Sequence, residues 1–168
     1  MAELAPLDRL QPCLLDRLTD HEPEVTGEGR DQRVISVRKY REAVLRDLEM
    51  LFNSRTYPPG HEIYDFVEVE RSVLNYGVPD LAGTTVSSIS ADEFAGRMKQ
   101  AILWFEPRIS RRSLSIHIVP SPDRSCGPAV LFEVEGDLWA HPFPEHLFVK
   151  TEVDLETGRY NLKGETSE

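Results

Sequence analysis

The chain has 168 residues and a mass of 19.1 kDa, a length that suits one domain with or without a tail. Hydrophobic residues make up 40% and charged residues 29%, the composition of a soluble globular protein with a polar lean. Acids outnumber bases 29 to 19, and the resulting net charge of −10 excludes a nonspecific nucleic-acid or anionic-membrane binder, which needs a basic surface.

Residues 1–30 read as a leader that is either flexible or a short helix. Met1-Ala2-Glu3-Leu4 lacks the basic segment and apolar core of an export signal. No later run approaches the roughly 20 apolar residues that span a bilayer. A cytoplasmic setting without membrane insertion is therefore expected, with Cys13 and Cys126 as reduced thiols. Seven acids stand against three bases up to Arg30, and Gly27-Glu28-Gly29 reads as a linker. Leu14, Leu15 and Leu18 still form a short apolar stripe at helical spacing, suited to docking on this domain or on a partner. A single domain over 31–163 and a tail at 164–168 complete the organisation.

The first long element is a helix from about 36 to 54. Ser36 can cap it, and Val37, Tyr40, Val44, Leu48 and Leu51 recur at three- and four-residue steps, with Phe52 widening the stripe. Pro58-Pro59-Gly60 forbids continuation. A short helix is expected over Val67 to Leu74, and Asn75-Tyr76-Gly77-Val78-Pro79-Asp80 is turn chemistry. Ser90-Ala91-Asp92-Glu93 spells a capping box, with Glu93 reaching back to the Ser90 backbone. Phe94, Met98, Ala101, Ile102 and Phe105 form the buried stripe of a second helix, which Pro107 stops at Glu106.

Beyond Pro107 the period becomes two. Leu114, Ile116 and Ile118 alternate with Ser113, Ser115 and His117, and Val130, Phe132 and Val134 with Leu131, Glu133 and Glu135. Leu147, Val149, Thr151 and Val153 form a third strand. Asp154 to Arg159 is a tight connection to a fourth at Tyr160 to Leu162. The fold class is α+β: two amphipathic helices packed on a small antiparallel sheet formed mainly by the C-terminal half.

Catalytic signals are thin. Glu106, Glu133, Glu135 and Asp137 are candidate glycosidase carboxylates by abundance alone. His141 and His146 lie five apart around two prolines, a weak metal pattern with no HExxH. No GxSxG and no phosphate-cradling glycine loop occurs, and neither a cofactor nor a resident metal is implied. One charged element stands out. Glu106-Pro107-Arg108 joins the second helix to the first strand, with Arg97, Lys99, Arg111 and Arg112 around it. Cations complement the dipole at a helix C-terminus, which is one explanation. The other is a docking site, in which a rigid proline holds a carboxylate beside a guanidinium able to grip a partner.

Four segments in series resemble TssE, the family of type VI secretion baseplate subunits. They are Asp47-Leu48-Glu49-Met50-Leu51-Phe52-Asn53-Ser54-Arg55, Ser72-Val73-Leu74-Asn75-Tyr76-Gly77-Val78-Pro79-Asp80, Phe105-Glu106-Pro107-Arg108-Ile109, and Thr151-Glu152-Val153-Asp154-Leu155-Glu156-Thr157-Gly158. Leu14-Leu15-Asp16-Arg17-Leu18 also looks like the start of many TssE chains. Phe52 and Ser54 stand where Leu and Thr are usual, and Val78 and Ile109 where Leu is usual. The resemblance implies a non-enzymatic wedge component related to the sheath initiator of contractile phage baseplates. Its fold would resemble a sheath handshake domain. Its implied partners are TssF, TssG, TssK and the sheath subunits TssB and TssC. Glu106, Pro107 and Arg108 are implied to dock on the wedge core, and an edge around Leu147 to Val153 or Tyr160 to Leu162 to receive the sheath. The family also carries a lysozyme-like label, giving a muramidase that uses Glu106 and a second carboxylate as the alternative. A neighbouring cation favours an ionised carboxyl, whereas a general acid must hold its proton.

Overall fold

The leader holds one short helix, α1 (Leu14–Leu18), in the computed structural model, which describes residues 10, 12–19, 24, 35–84, 90–119, 129–140 and 143–164. Cys126, His141 and the Gly27–Gly29 linker lie outside the described residues. Ser36 starts α2 (Val37–Phe52), its Oγ accepting the Lys39 N–H at 3.2 Å. That bond satisfies one of the donors a helix N-terminus leaves free. Tyr40, Val44, Leu48, Leu51 and Phe52 are buried, as the spacing predicts, but Val37 in the first turn stays exposed. The helix ends at Asn53, whose side chain donates to Glu49 O at 3.0 Å and Tyr160 O at 3.1 Å while accepting Tyr160 N–H at 3.1 Å.

The short helix expected over Val67 to Leu74 is broken into α3 (Val67–Glu70) and a 3₁₀ turn at Val73–Asn75. Ser72 is the reason: its hydroxyl donates to Val69 O at 2.8 Å and accepts Leu74 N–H at 3.2 Å. Local side-chain bonds of this kind compete with helix continuation. Asn75 is buried and ties the segment together, accepting Tyr57 N–H at 3.1 Å and donating to Glu70 O at 3.1 Å. Ser90 caps α4 (Ala91–Phe105), accepting Glu93 N–H at 3.4 Å. The other half of the expected capping box does not form, because the Glu93 carboxylate takes Arg97 Nη2 at 2.8 Å one turn on.

Four antiparallel strands follow: β1 (Ser115–Val119), β2 (Ala129–Leu138), β3 (Glu145–Asp154) and β4 (Tyr160–Gly164), ordered as in the chain. The register sets Phe132 opposite Thr151 and Thr151 opposite Leu162, with Val130, Val153 and Tyr160 in the next row. These residues share the face that α2 and α4 cover. Rings chain across that core: Phe94 to Phe132 at 5.6 Å, Phe132 to Tyr160 at 5.9 Å and Tyr160 to Phe52 at 6.0 Å. The α+β architecture expected from the sequence is the one observed. Of the two edges the resemblance implied, the one at Tyr160 to Leu162 is an outer strand and the one at Leu147 to Val153 is not. β3 lies inside the sheet between β2 and β4, so its Val149–Val153 stretch offers no edge; the outer strands are β1 and β4. Asn53 also closes the start of β4 by pairing with both backbone groups of Tyr160.

The sharpest test of this core is Leu48, fully buried in the middle of α2. Leu48→Ala should cost about 2–5 kcal/mol in urea unfolding, through lost transfer energy plus a cavity. Met50→Ala on the exposed side of the same helix should stay within about 0.5 kcal/mol of the parent.

Candidate functional site

The chain turns sharply between α4 and β1. Pro107 excludes helical geometry at the preceding residue, and Glu106 accordingly leaves the helix with φ −124° and ψ 76°. This corner buries Glu106, at 3% exposure, while Pro107 faces solvent and Arg108 is half-buried. Ile109 then enters the core and pairs with Leu138.

A buried carboxylate needs partners, and Glu106 has them. Its Oε1 accepts the Arg108 backbone N–H at 3.2 Å and Nε at 2.6 Å, and Oε2 accepts Arg108 Nη2. The same Nη2 reaches Asp47 Oδ2 on α2 at 2.6 Å. Asp47 Oδ1 in turn accepts Arg46 Nε at 2.9 Å and Nη2 at 2.8 Å, and Arg46 Nη1 meets Asp16 Oδ1 of α1 at 2.5 Å. Five charges thus alternate in sign from the leader through α2 to the corner. Burial alone would lower the basicity of Arg108, but hydrogen bonds and charge from Glu106 and Asp47 outweigh it and raise its pKa. Hydrogen bonds to Asp16 and Asp47 likewise raise that of Arg46.

The leader is drawn in by its polar side. Burial pushes Asp16 up, but the bonds from Arg46 and Cys13 and the Arg46 charge prevail, so its pKa falls below the ordinary 3.8. A lowered carboxylate contributes stability that is present above the unfolded value and lost as pH falls through the folded one. Leu14, Leu15 and Leu18 point outward, so the side-chain contacts that hold α1 itself are the Arg46 bonds to Asp16 and Cys13, with Leu10 packed on the core just before it. Protection of the Arg17 and Thr19 amides, which bond to Cys13 O and Leu15 O, should therefore drop below about pH 4 in hydrogen exchange. In Asp16→Asn it should be low at neutral pH already.

The hairpin loop after β2 adjoins the corner. Trp139 N–H donates to Arg108 O at 2.7 Å, and Trp139 O accepts the Tyr40 hydroxyl at 2.9 Å. Trp139 is 67% exposed. Nothing in the sequence marked Asp16, Arg46, Asp47 or Trp139 as parts of this corner. Asp47 meets Arg108 across 61 positions, a separation no local pattern reports.

The other candidates stay apart. Glu133 sits opposite Lys150 in the sheet. His146 approaches Glu135 at 3.5 Å and Asp137 at 3.4 Å, and the described residues contain no group of three or more side chains able to hold a metal. A cleft of about 560 Å³ opens between the end of α2 and the β3–β4 turn, lined by Arg46, Asn53, Arg55, Asp80, Arg159 and Tyr160 among others. Neither Glu106, Glu133 nor Asp137 borders it.

The motif glutamate of this α+β domain is thus buried, ion-paired and away from that cleft. The model of the baseplate wedge protein gp25 family matches residues 38–142, from α2 through the corner and β2. The chain belongs to that family, which holds structural proteins of the baseplate wedge and accounts for the resemblance to TssE. No curated protein and no solved structure matches it. No helix among the described residues is long and apolar enough to cross a membrane.

Proposed function

We propose that this chain is the TssE-type component of a type VI secretion baseplate wedge, joining a TssF–TssG core to the first ring of the contractile sheath and helping that sheath begin to polymerise. TssK and the sheath subunits TssB and TssC are its further partners, and its place is the cytoplasmic baseplate docked at the inner membrane. The observation that carries this reading is family membership spanning the Glu106-Pro107-Arg108 corner. The corner's rigidity supports a docking role: an exposed proline and an arginine whose side chain is 20% exposed are held in one geometry by a buried acid. Preorganised groups lose little entropy on binding. For the sheath, the antiparallel edges of β1 and β4 are suited to strand addition, which gains main-chain hydrogen bonds without a large apolar patch. The muramidase alternative finds no support: Glu106 is bound to Arg108 and borders no part of the cleft.

The test is co-expression with TssF and TssG, followed by affinity purification of the wild type and of Glu106→Ala/Arg108→Ala. That pair of changes leaves no buried charge unpaired, and circular dichroism checks the fold. The wild type should enter the complex and the folded variant should not. A folded variant recovered as fully as the wild type would overturn the docking role of these residues.

A further inference from the structure

We infer that the leader helix α1 positions the docking corner from a distance: Asp16 acts through Arg46 and Asp47 to hold the Arg108 guanidinium, so attachment of α1 and partner binding at the corner are linked. The binding half of this inference rests on the docking role proposed above; the link itself lies within the chain and is read without a partner. The shared element is the Asp47 carboxylate. Its Oδ1 accepts Arg46 Nε at 2.9 Å and Nη2 at 2.8 Å, and its Oδ2 accepts Arg108 Nη2 at 2.6 Å. One acid on α2 thus orients two guanidiniums, one serving the leader and the other the corner. On the leader side, Arg46 Nη1 meets Asp16 Oδ1 at 2.5 Å and Nη2 lies 3.8 Å from Cys13 Sγ. The apolar side of α1 adds no hold, because Leu14, Leu15 and Leu18 are exposed. Leu10 packs on the core and its carbonyl accepts Ile35 N–H at 3.1 Å, which tethers the chain just before α1. Attachment of the helix itself therefore turns on one guanidinium.

Charge order sets the direction of the link. Asp16, Arg46, Asp47, Arg108 and Glu106 alternate in sign along the contacts. With α1 released, Arg46 has only Asp47 to neutralise it. Its uncompensated field opposes the second cation on the same carboxylate, and Arg108 is held less firmly. With α1 attached, Asp16 offsets that field and Asp47 keeps Arg108 in place. The reverse holds as well. Loss of the Glu106–Arg108 pair leaves Asp47 to Arg46 alone, and Asp16 loses a cation one contact nearer than the anion that goes with it. The leader should then be held less. The side chains of Asp16, Asp47 and Arg108 are 22%, 24% and 20% exposed and that of Arg46 is 42% exposed, so water screens the chain in part. Ion pairs in such settings support effects of about two- to fivefold.

The experiment has two arms, both on the full chain. The first is hydrogen exchange at neutral pH and low salt, read at the Arg17 and Thr19 amides, which bond to Cys13 O and Leu15 O within α1. The slowest amides of β2 and β3 gauge global stability. In the folded Glu106→Ala/Arg108→Ala variant, protection of the two leader amides should fall about two- to fivefold, and the difference should shrink at about 1 M salt. Unchanged protection at matched global stability, or wild-type leader amides with no protection to lose, would overturn the link whatever the binding shows. The second arm is binding to the co-purified TssF–TssG pair by interferometry. Asp16→Asn should bind about two- to fivefold more weakly, while Leu14→Ser/Leu18→Ser should bind as the wild type does. If Asp16→Asn binds as tightly as the wild type, the leader's part in docking is overturned while the motif's own role stands. If the leucine variant loses as much affinity as Asp16→Asn, the partner touches α1 itself, and action through Arg46 is overturned. If the wild type does not bind at all, the docking role fails, and the exchange arm still decides the link.

Discussion

Gly77→Ala is expected to destabilise the domain by roughly 2–6 kcal/mol, the sum of backbone strain and forced displacement. Gly77 has φ +133°, a conformation that residues with a Cβ rarely adopt. Space is the second obstacle. A Cβ there would lie 2.4 Å from Ser54 O, 2.5 Å from Ser54 C and 2.8 Å from Arg55 N, all backbone atoms. Those atoms cannot swing aside, because Val78 N–H donates to Ser54 O at 3.0 Å and Thr56 N–H to Val78 O at 3.1 Å. The pairing ties the exit of α2 to buried Val78, so relieving the clash would pull Val78 from the core. Domains of this size have only about 5–15 kcal/mol of stability in total. The expected readout is a large fall in the urea midpoint, or an unfolded protein. Gly60→Ala separates strain from clash: its φ is +83° with nothing within 4 Å of an added Cβ, so it should cost only about 1–3 kcal/mol. Equal losses at the two positions would show that the close approach to Ser54 contributes nothing.

The turn around Gly77 was legible because glycine and proline signal conformation locally. The same holds for both long helices, where a serine cap precedes apolar residues at three- and four-residue steps, and for β2, where alternation assigns Val130, Phe132 and Val134 to one face. Alternation says which way side chains point, not which strand pairs with which, so it cannot choose between β3 and β4 as the edge; the strand order leaves β4 outside and β3 inside. Glu93 shows a local rule losing to another: the capping box and the i,i+4 ion pair compete for one carboxylate, and Arg97 wins. At the corner, Glu106 and Arg108 stood out as a pair, but not the burial of Glu106. Nor did the partners of Arg108: Asp47 arrives from α2 and Trp139 from the loop just after β2. Such contacts come from tertiary packing, which short-range spacing does not encode.

The burial of Glu106 changes what a single substitution at Arg108 reports. Arg108→Ala should destabilise the fold by about 3–5 kcal/mol, because it strands a carboxylate that is 3% exposed. A change meant to remove a docking group therefore carries a folding cost as well. Glu106→Ala should be milder, about 1–3 kcal/mol, since Arg108 keeps Asp47 at 2.6 Å and retains solvent contact. The double variant should then cost clearly less than the two single changes added together, with a coupling of about 2–3 kcal/mol in urea unfolding. An additive result would mean that the pair is not held together in solution. Strong coupling would mean that loss of partner binding in Arg108→Ala alone mixes two causes, an unstable corner and a missing donor. Only the double variant, folded and compared at matched stability, isolates the second. The conservative change Arg108→Lys probes the same point from the other side. It keeps a cation beside Glu106 but loses the planar fork that serves Glu106 and Asp47 together. It should therefore fold more stably than Arg108→Ala, and if it still fails to dock, the guanidinium itself is what the partner reads.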